Sequence, residues 1–206
     1  MSLEELPSKG ERTRQAILDA AYDLFLSQGY SATSMRQVAE HAGMKAVGGI
    51  YNHFASKDEI FQALIIAKHP YLQIFPVLMN VSGETSEEFL SNAAHVIQAE
   101  MGQRADFMKL MFIELVEFNG KHFSKLVEII FPLALPILER FSAPGSGVRP
   151  IPPAVILRIF LGNIIGFYVT SLLMSDSSVP AELHNVQLID FVDVFAHGIL
   201  ESQKSE

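Results

Sequence analysis

The chain has 206 residues, 49% hydrophobic and 18% charged, with no cysteine and a formal net charge of −8. That length can bury a sizeable core and that composition excludes a disordered chain. The missing thiols exclude disulfide frameworks, thiolate catalysis and zinc-thiolate sites, and the acidic balance excludes a uniformly basic nucleic-acid coat.

The opening stretch MSLEELPSKGERTRQ shows no apolar core behind a basic start, so no secretory signal is expected and the place of action is expected to be cytoplasmic. Charge is unevenly placed. Residues 1–57 carry six cations and six acids, whereas residues 58–206 carry the whole net charge of −8. A nucleic-acid contact would have to come from the first part, where Arg12, Arg14, Arg36, Lys45 and Lys57 lie.

From Thr13 the apolar positions Ile17, Ala20, Ala21, Leu24 and Phe25 follow a helical stripe that stops at Gly29. Ser34 with Gln37 has the spacing of a capping box and opens the short helix MRQVAEHA, which ends at Gly43. AVGGIYNHF is a third short segment, and Ser56 with Glu59, a second capping box, restarts a long apolar helix. Thr85 with Glu88 caps a helix to about Met101. Helices over Ala105–Phe118 and Lys121–Phe141 follow, the latter bent at Pro132 and Pro136. SAPGSGVRP is a loop, Pro153–Met174 a long apolar helix, SDSSVPAE a second loop, and Val186–Ser202 a final amphipathic helix. No alternating strand pattern or internal repeat occurs. The expected fold is all-α: an N-terminal three-helix head over 1–57 and a larger C-terminal helical bundle over 58–206, about nine helices in all.

Two short helices joined at a glycine-containing turn and buttressed by an amphipathic first helix describe a helix-turn-helix, whose second helix is offered to the major groove. Arg36 sits in the first turn of the leading helix, where it can reach a guanine edge or a phosphate. Tyr51 and His53 end the trailing segment, and Lys57 starts the next helix, where an ammonium and the positive helix end would hold a phosphate together.

The ordered series AA-x-x-LF, GY-x-ATS, VAE-x-AG and Y-x-HF-x-SK across residues 11–64 resembles the DNA-binding region of the tetracycline-repressor (TetR) family of bacterial transcriptional regulators. The resemblance implies that Arg36 contacts a base or phosphate, that Tyr51 lies against the sugar-phosphate backbone or a base, and that His53 and Lys57 bind phosphate. One departure stands out: the family usually places six residues between the Ala-Gly pair and the tyrosine, and here MKAVGGI makes seven.

Val47, Gly48 and Gly49 carry no side-chain donors, and two glycines cost roughly 1 kcal/mol each in helix stability. Either they let the backbone approach the groove closely, with Val47 against a thymine methyl and Lys45 and Arg36 reading polar edges, or they relax a longer turn. With the N-cap Ser34, these residues complete the expected DNA-facing set.

In the larger region, Gly162, Gly166 and Thr170 align on one face of PAVILRIFLGNIIGFYVTSLLM and would admit a close helix; with Leu188, Val192, Phe195 and Ile199 of the final helix they form the expected dimer interface. The resemblance agrees, since the family commonly dimerises through its last two long helices. The same apolar run with Gly-x-x-x-Gly also reads as a membrane span, against which stand Arg158, Asn163 and the following polar face of Asp190 and Asp193. Phe107, Met111, Phe112 and Leu115, on one broad face that excludes Asp106, Lys109 and Glu117, could line an adaptable apolar pocket, with Asn163 beside Phe167 orienting a ligand or bonding across the dimer.

No nucleophile elbow, phosphate loop or His-Glu-x-x-His spacing occurs, and none of the seven histidines falls in a carboxylate-supported pair of metal-binding kind, so no enzyme, cofactor or metal is expected. The expected function is that of a homodimeric repressor on a palindromic double-stranded operator, released by a small apolar ligand, with no membrane partner. The alternatives are a helical small-molecule-binding or interaction protein without DNA binding, and a membrane-associated helical protein.

Overall fold

The computed structural model describes residues 7–102, 105–174 and 180–199. Among them are ten α-helices and one 3₁₀ helix, and no β-strand. The all-α class is as expected, with two more helical segments than the nine anticipated.

Capping chemistry sets the first boundaries. α1 (Lys9–Gln28) starts four residues before the expected Thr13, because Ser8 and Glu11 close a full capping box: Ser8 N donates to Glu11 Oε2 at 2.7 Å and Glu11 N to Ser8 Oγ at 3.2 Å. Gly29, at φ 89°, ends it. α2 (Met35–His41) begins with the Ser34–Gln37 box, both limbs formed. After Gly43, at φ 71°, the chain runs to the 3₁₀ helix η1 (Val47–Asn52), whose preceding residue Ala46 gives no side-chain cap. A glycine pair and no cap leave this segment short and tightly wound rather than α-helical.

α3 (Lys57–Lys68) is capped by Ser56 Oγ, which accepts from Glu59 N at 3.1 Å. The expected second box is displaced by one residue: the Glu59 carboxylate accepts from Ala55 N at 2.7 Å, not from Ser56. The expected long helix also breaks, because Pro70 lacks an N–H and holds His69 extended at ψ 131°, and α4 (Tyr71–Leu78) starts afresh. Thr85 accepts from Glu88 N at 3.1 Å to open α5 (Ser86–Gly102).

α6 (Ala105–Phe118) has the expected bounds and closes at Asn119 and Gly120, both with positive φ. α7 (Phe123–Ser142) contains Pro132 and Pro136. α8 (Pro153–Leu173) begins with proline at its first position, α9 (Ala181–His184) is a single turn that starts in the last two residues of the second expected loop, and α10 is Leu188–Ile199. Residues 200–202 of the expected last helix and 175–179 of that loop lie outside the described residues.

By packing the chain forms two compact units, one of residues 1–69 and 106–127, the other of 70–105 and 128–206. The expected cut after residue 57 would strip α3 and α6 from the first unit. There, Phe25, Phe61, Tyr30 and Phe118 make an aromatic core with centroids 4.6 to 5.8 Å apart, and Ile17, Leu18, Ile50, Phe54, Ile60 and Leu64 are fully buried around it. In the second unit α10 packs on α5 and α8, burying Leu188, Val192, Phe195, Ala196 and Ile199 against Phe89, Leu90, Ala93, Ala94 and Ile97 and their neighbours. α8 contributes one buried side chain, Ile156; it is the one described helix long and apolar enough to cross a membrane, and 6% of its most apolar window is buried.

Candidate nucleic-acid interface

The residues expected to face DNA lie on the helix-turn-helix that the caps define. Ser34 is exposed at the N-cap of α2, its hydroxyl and backbone both engaged with Gln37. Arg36, one position into the helix, extends into solvent with 77% of its side chain exposed and pairs with Glu40 at 2.7 Å. An exposed pair of this kind contributes little stability, so the guanidinium is readily handed to a stronger anion. Val38 and Ala39 bury the opposite face.

η1 carries the expected reading segment. Ile50 is its buried anchor, and Tyr51 projects outward, 54% exposed. A Cβ on Gly48 would meet open space, while one on Gly49 would approach the flexible end of Met44 at 2.9 Å. Val47 and His53 are half-buried. Between α2 and η1, Gly43 and Met44 close α2 by bonds to Glu40 O and Ala39 O, and Ala46 runs extended into η1.

Lys45 and Gly49 share an open groove of about 590 Å³ with Lys9, Arg12, Thr13 and Ala16 of α1. Three cations and no acid line it, so the groove concentrates positive potential where α1 starts. Lys9 and this grouping were not foreseen, because the cations lie more than thirty positions from Lys45 in the sequence. Arg14 instead covers the buried Phe54 ring, its guanidinium carbon 4.7 Å from the centroid.

Lys57 departs most from expectation. Its ammonium turns inward, donating to Tyr30 O at 2.7 Å and Thr33 O at 2.6 Å and lying 4.1 Å over the Tyr30 ring. Two of its three N–H groups thus hold the α1–α2 turn, leaving one for a phosphate. Burial pushes the ammonium below its ordinary range, with the nearby Glu117 carboxylate opposing. Burial, with the Asp58 and Glu117 charges, raises the Tyr30 phenol to about 12.

The other expected sites divide between the units. Phe107, Met111, Phe112 and Leu115 belong to the first: Phe107 is buried edge-on against His69 at 4.9 Å, Met111 and Phe112 are half-buried, and Leu115 is 53% exposed. Glu114, which the apolar reading of that face passes over, is fully buried there. Asn163 and Phe167 belong to the second unit, where Phe167 meets Phe191 edge-on at 5.6 Å.

Of the expected dimer residues, Leu188, Val192, Phe195 and Ile199 are at most 5% exposed inside the chain's own core, so their side chains are not free to meet a partner; the amphipathic stripe of α10 faces α5. Gly162 and Gly166 have open space beside them, and Thr170 donates to Gly166 O within its own helix. The outward apolar side chains of these two helices are Val155, Ile159, Leu161, Ile165, Leu172 and Leu173 of α8 and Val194 of α10.

A capped short helix, a glycine-closed turn and an exposed second segment on a buried three-helix base define a helix-turn-helix DNA-binding protein. Residues 17–64 match the pattern of the bacterial regulatory proteins of the tetR family. The HTH-type transcriptional regulator SrpR of Pseudomonas putida is 41% identical over 124 residues, 59% of this chain and 55% of SrpR, so the match spans about half of that relative's length. The uncharacterized HTH-type transcriptional regulator TtgW, also of P. putida, is 38% identical over 124 residues, 59% of this chain and 88% of its own. NalD, the secondary repressor of the MexAB-OprM multidrug efflux pump in Pseudomonas aeruginosa, shares the fold with TM-score 0.69 at 21% identity, covering 95% of this chain and all of NalD. The chain belongs to the TetR family and is a DNA-binding transcriptional regulator.

Proposed function

We propose that the protein is a homodimeric repressor that grips a palindromic operator with two helix-turn-helix heads and leaves it when a small apolar molecule binds. The observation that carries the DNA-binding part is the exposure of Ser34, Arg36, Lys45, Gly48 and Tyr51, with Val47, Gly49 and His53 half-buried, flanked by the cationic groove of Lys9 and Arg12. In this reading Arg36 and Lys45 supply polar readout, Val47 packs on a thymine methyl, Tyr51 lies along the backbone and Lys57 holds the turn behind them with one N–H left for phosphate. Residues 1–57 bear the DNA-facing surface, and residues 58–206 bear ligand response and pairing.

The exposed apolar face of α8 supports pairing: 21 residues of low polarity with one buried side chain need a cover, and a second copy supplies it with the symmetry a palindrome requires. The glycines at 162 and 166 would let the helices approach. The same apolarity is what a membrane span would show, and recovery of the protein in the membrane fraction would favour that second reading. Ligand response draws support from the Met-rich and Phe-rich face of α6 and from the repressor role of NalD, which shares this fold.

The test is selection of bound duplexes from genomic fragments, followed by titration of the winning sequence and sedimentation of free protein. A symmetric site bound by two chains is expected; absence of any enriched sequence would overturn the proposal.

A further inference from the structure

The first unit holds a charged cluster that the DNA-facing surface does not use. Glu114 of α6 is 0% exposed, and both carboxylate oxygens are engaged by His122, Oε1 by its backbone N–H at 2.6 Å and Oε2 by ring Nδ1 at 2.8 Å. The His122 ring, 1% exposed, lies between Phe118 at 4.7 Å and Phe61 at 5.8 Å. Its far nitrogen Nε2 is 3.3 Å from Asp58 Oδ2 without the alignment of a hydrogen bond, and Asp58 Oδ1 accepts from Lys121 at 2.6 Å. Burial opposes ionisation of Asp58, yet Lys121 and His122 outweigh it and hold the carboxyl below its ordinary range.

Asp58 directly follows Lys57, whose ammonium fixes the α1–α2 turn ahead of the Ser34 cap. The same corner of α6 touches that turn twice more, through Ser31 Oγ donating to Glu117 Oε2 at 2.7 Å and Phe118 edge-on to Tyr30 at 4.6 Å. A buried carboxylate without a cation is strongly unfavourable. Glu114 is held by two donors of one residue, and Asp58 lies between that residue's ring and Lys121.

We propose that His122, held by Glu114, positions the first turn of α3, and through Lys57 the operator-reading turn. The proposal rests on the DNA-binding reading above. The charged groups against the ring are Glu114 of α6 and Asp58 of α3, the latter paired with Lys121.

The experiment uses the full chain and a duplex enriched from genomic fragments by the wild type, titrated at constant pH and salt for wild type, His122→Asn, Lys57→Met and the double variant, with Asp58→Asn in place of His122→Asn if the latter does not fold. Affinity is expected to fall in each single variant, and the double variant to lose no more than the weaker-binding single one, because both act through the same turn. Losses that multiply, or a His122 or Asp58 variant that binds as the wild type does, would overturn the proposal, whereas no duplex enriched by the wild type removes the DNA-binding reading itself.

Discussion

Replacing Lys57 with methionine separates two roles that one ammonium could play. Methionine keeps much of the apolar stem over Tyr30 and removes the charge, so the hydrogen bonds to Tyr30 O at 2.7 Å and Thr33 O at 2.6 Å disappear. Thr33 is 2% exposed, so little water can take the donor's place. Hydrogen bonds to a charged group contribute about 1.5 to 3 kcal/mol each, and the lower end suits this half-buried lysine, giving a destabilisation of about 3 kcal/mol. A lysine acting purely as a phosphate contact would cost almost no stability and would reduce the salt slope of log K by about 0.9 for each head. Urea unfolding measures the first quantity, and fluorescence anisotropy on an enriched duplex between 50 and 200 mM salt, roughly the range over which such slopes are resolved, measures the second. The expected result is a large fall in stability with a slope change well below 0.9 per head. Unchanged stability with the full slope loss would refute the inward-clamp account and restore the expected phosphate role.

Gly48→Ala meets open space in the free protein and should leave stability equal or raise it by about 0.5 to 1 kcal/mol; loss of duplex binding despite that gain, seen by anisotropy, marks close backbone approach to DNA, and retained binding rules it out. Ile165→Arg, on an outward side chain of α8 that is 50% exposed, should move sedimenting protein from dimer to monomer while preserving helical content by circular dichroism; a persistent dimer would place pairing elsewhere. His69, edge-on to Phe107, is pushed down by burial from 6.5 to about 4. The native state therefore resists protonation, so this contribution is complete above pH 6.5 and is lost as pH falls toward 4. Between pH 7 and 5 it amounts to roughly 2 kcal/mol; His69→Leu should flatten the urea-derived stability over that interval, and identical losses in both proteins would contradict the assignment.

Local chemistry was legible in the sequence wherever a few adjacent residues decide it. Ser34 with Gln37, Gly29 and Gly43 as stops, and the bounds of α6 required only short-range hydrogen bonding and backbone preference. The Ser56–Glu59 box is shifted by one residue because a glutamate side chain reaches the N–H before the cap as readily as that of the cap itself, as Glu59 does to Ala55 and, at the Thr85 cap, Glu88 does to Glu84. Periodicity marked Leu188, Val192, Phe195 and Ile199 as one apolar face, but a stripe reports that a face is covered and not what covers it. Here α5 of the same chain covers the α10 face, leaving the less regular apolar surface of α8 open. Glu114 was passed over for the complementary reason: among aromatic and aliphatic neighbours a carboxylate reads as the polar edge of the helix. Its partner His122 lies across the α6–α7 turn, and Asp58 lies far earlier in the chain. Buried charge is tolerated where distant residues converge to neutralise it, so the positions that couple one element to another are the ones a local pattern conceals.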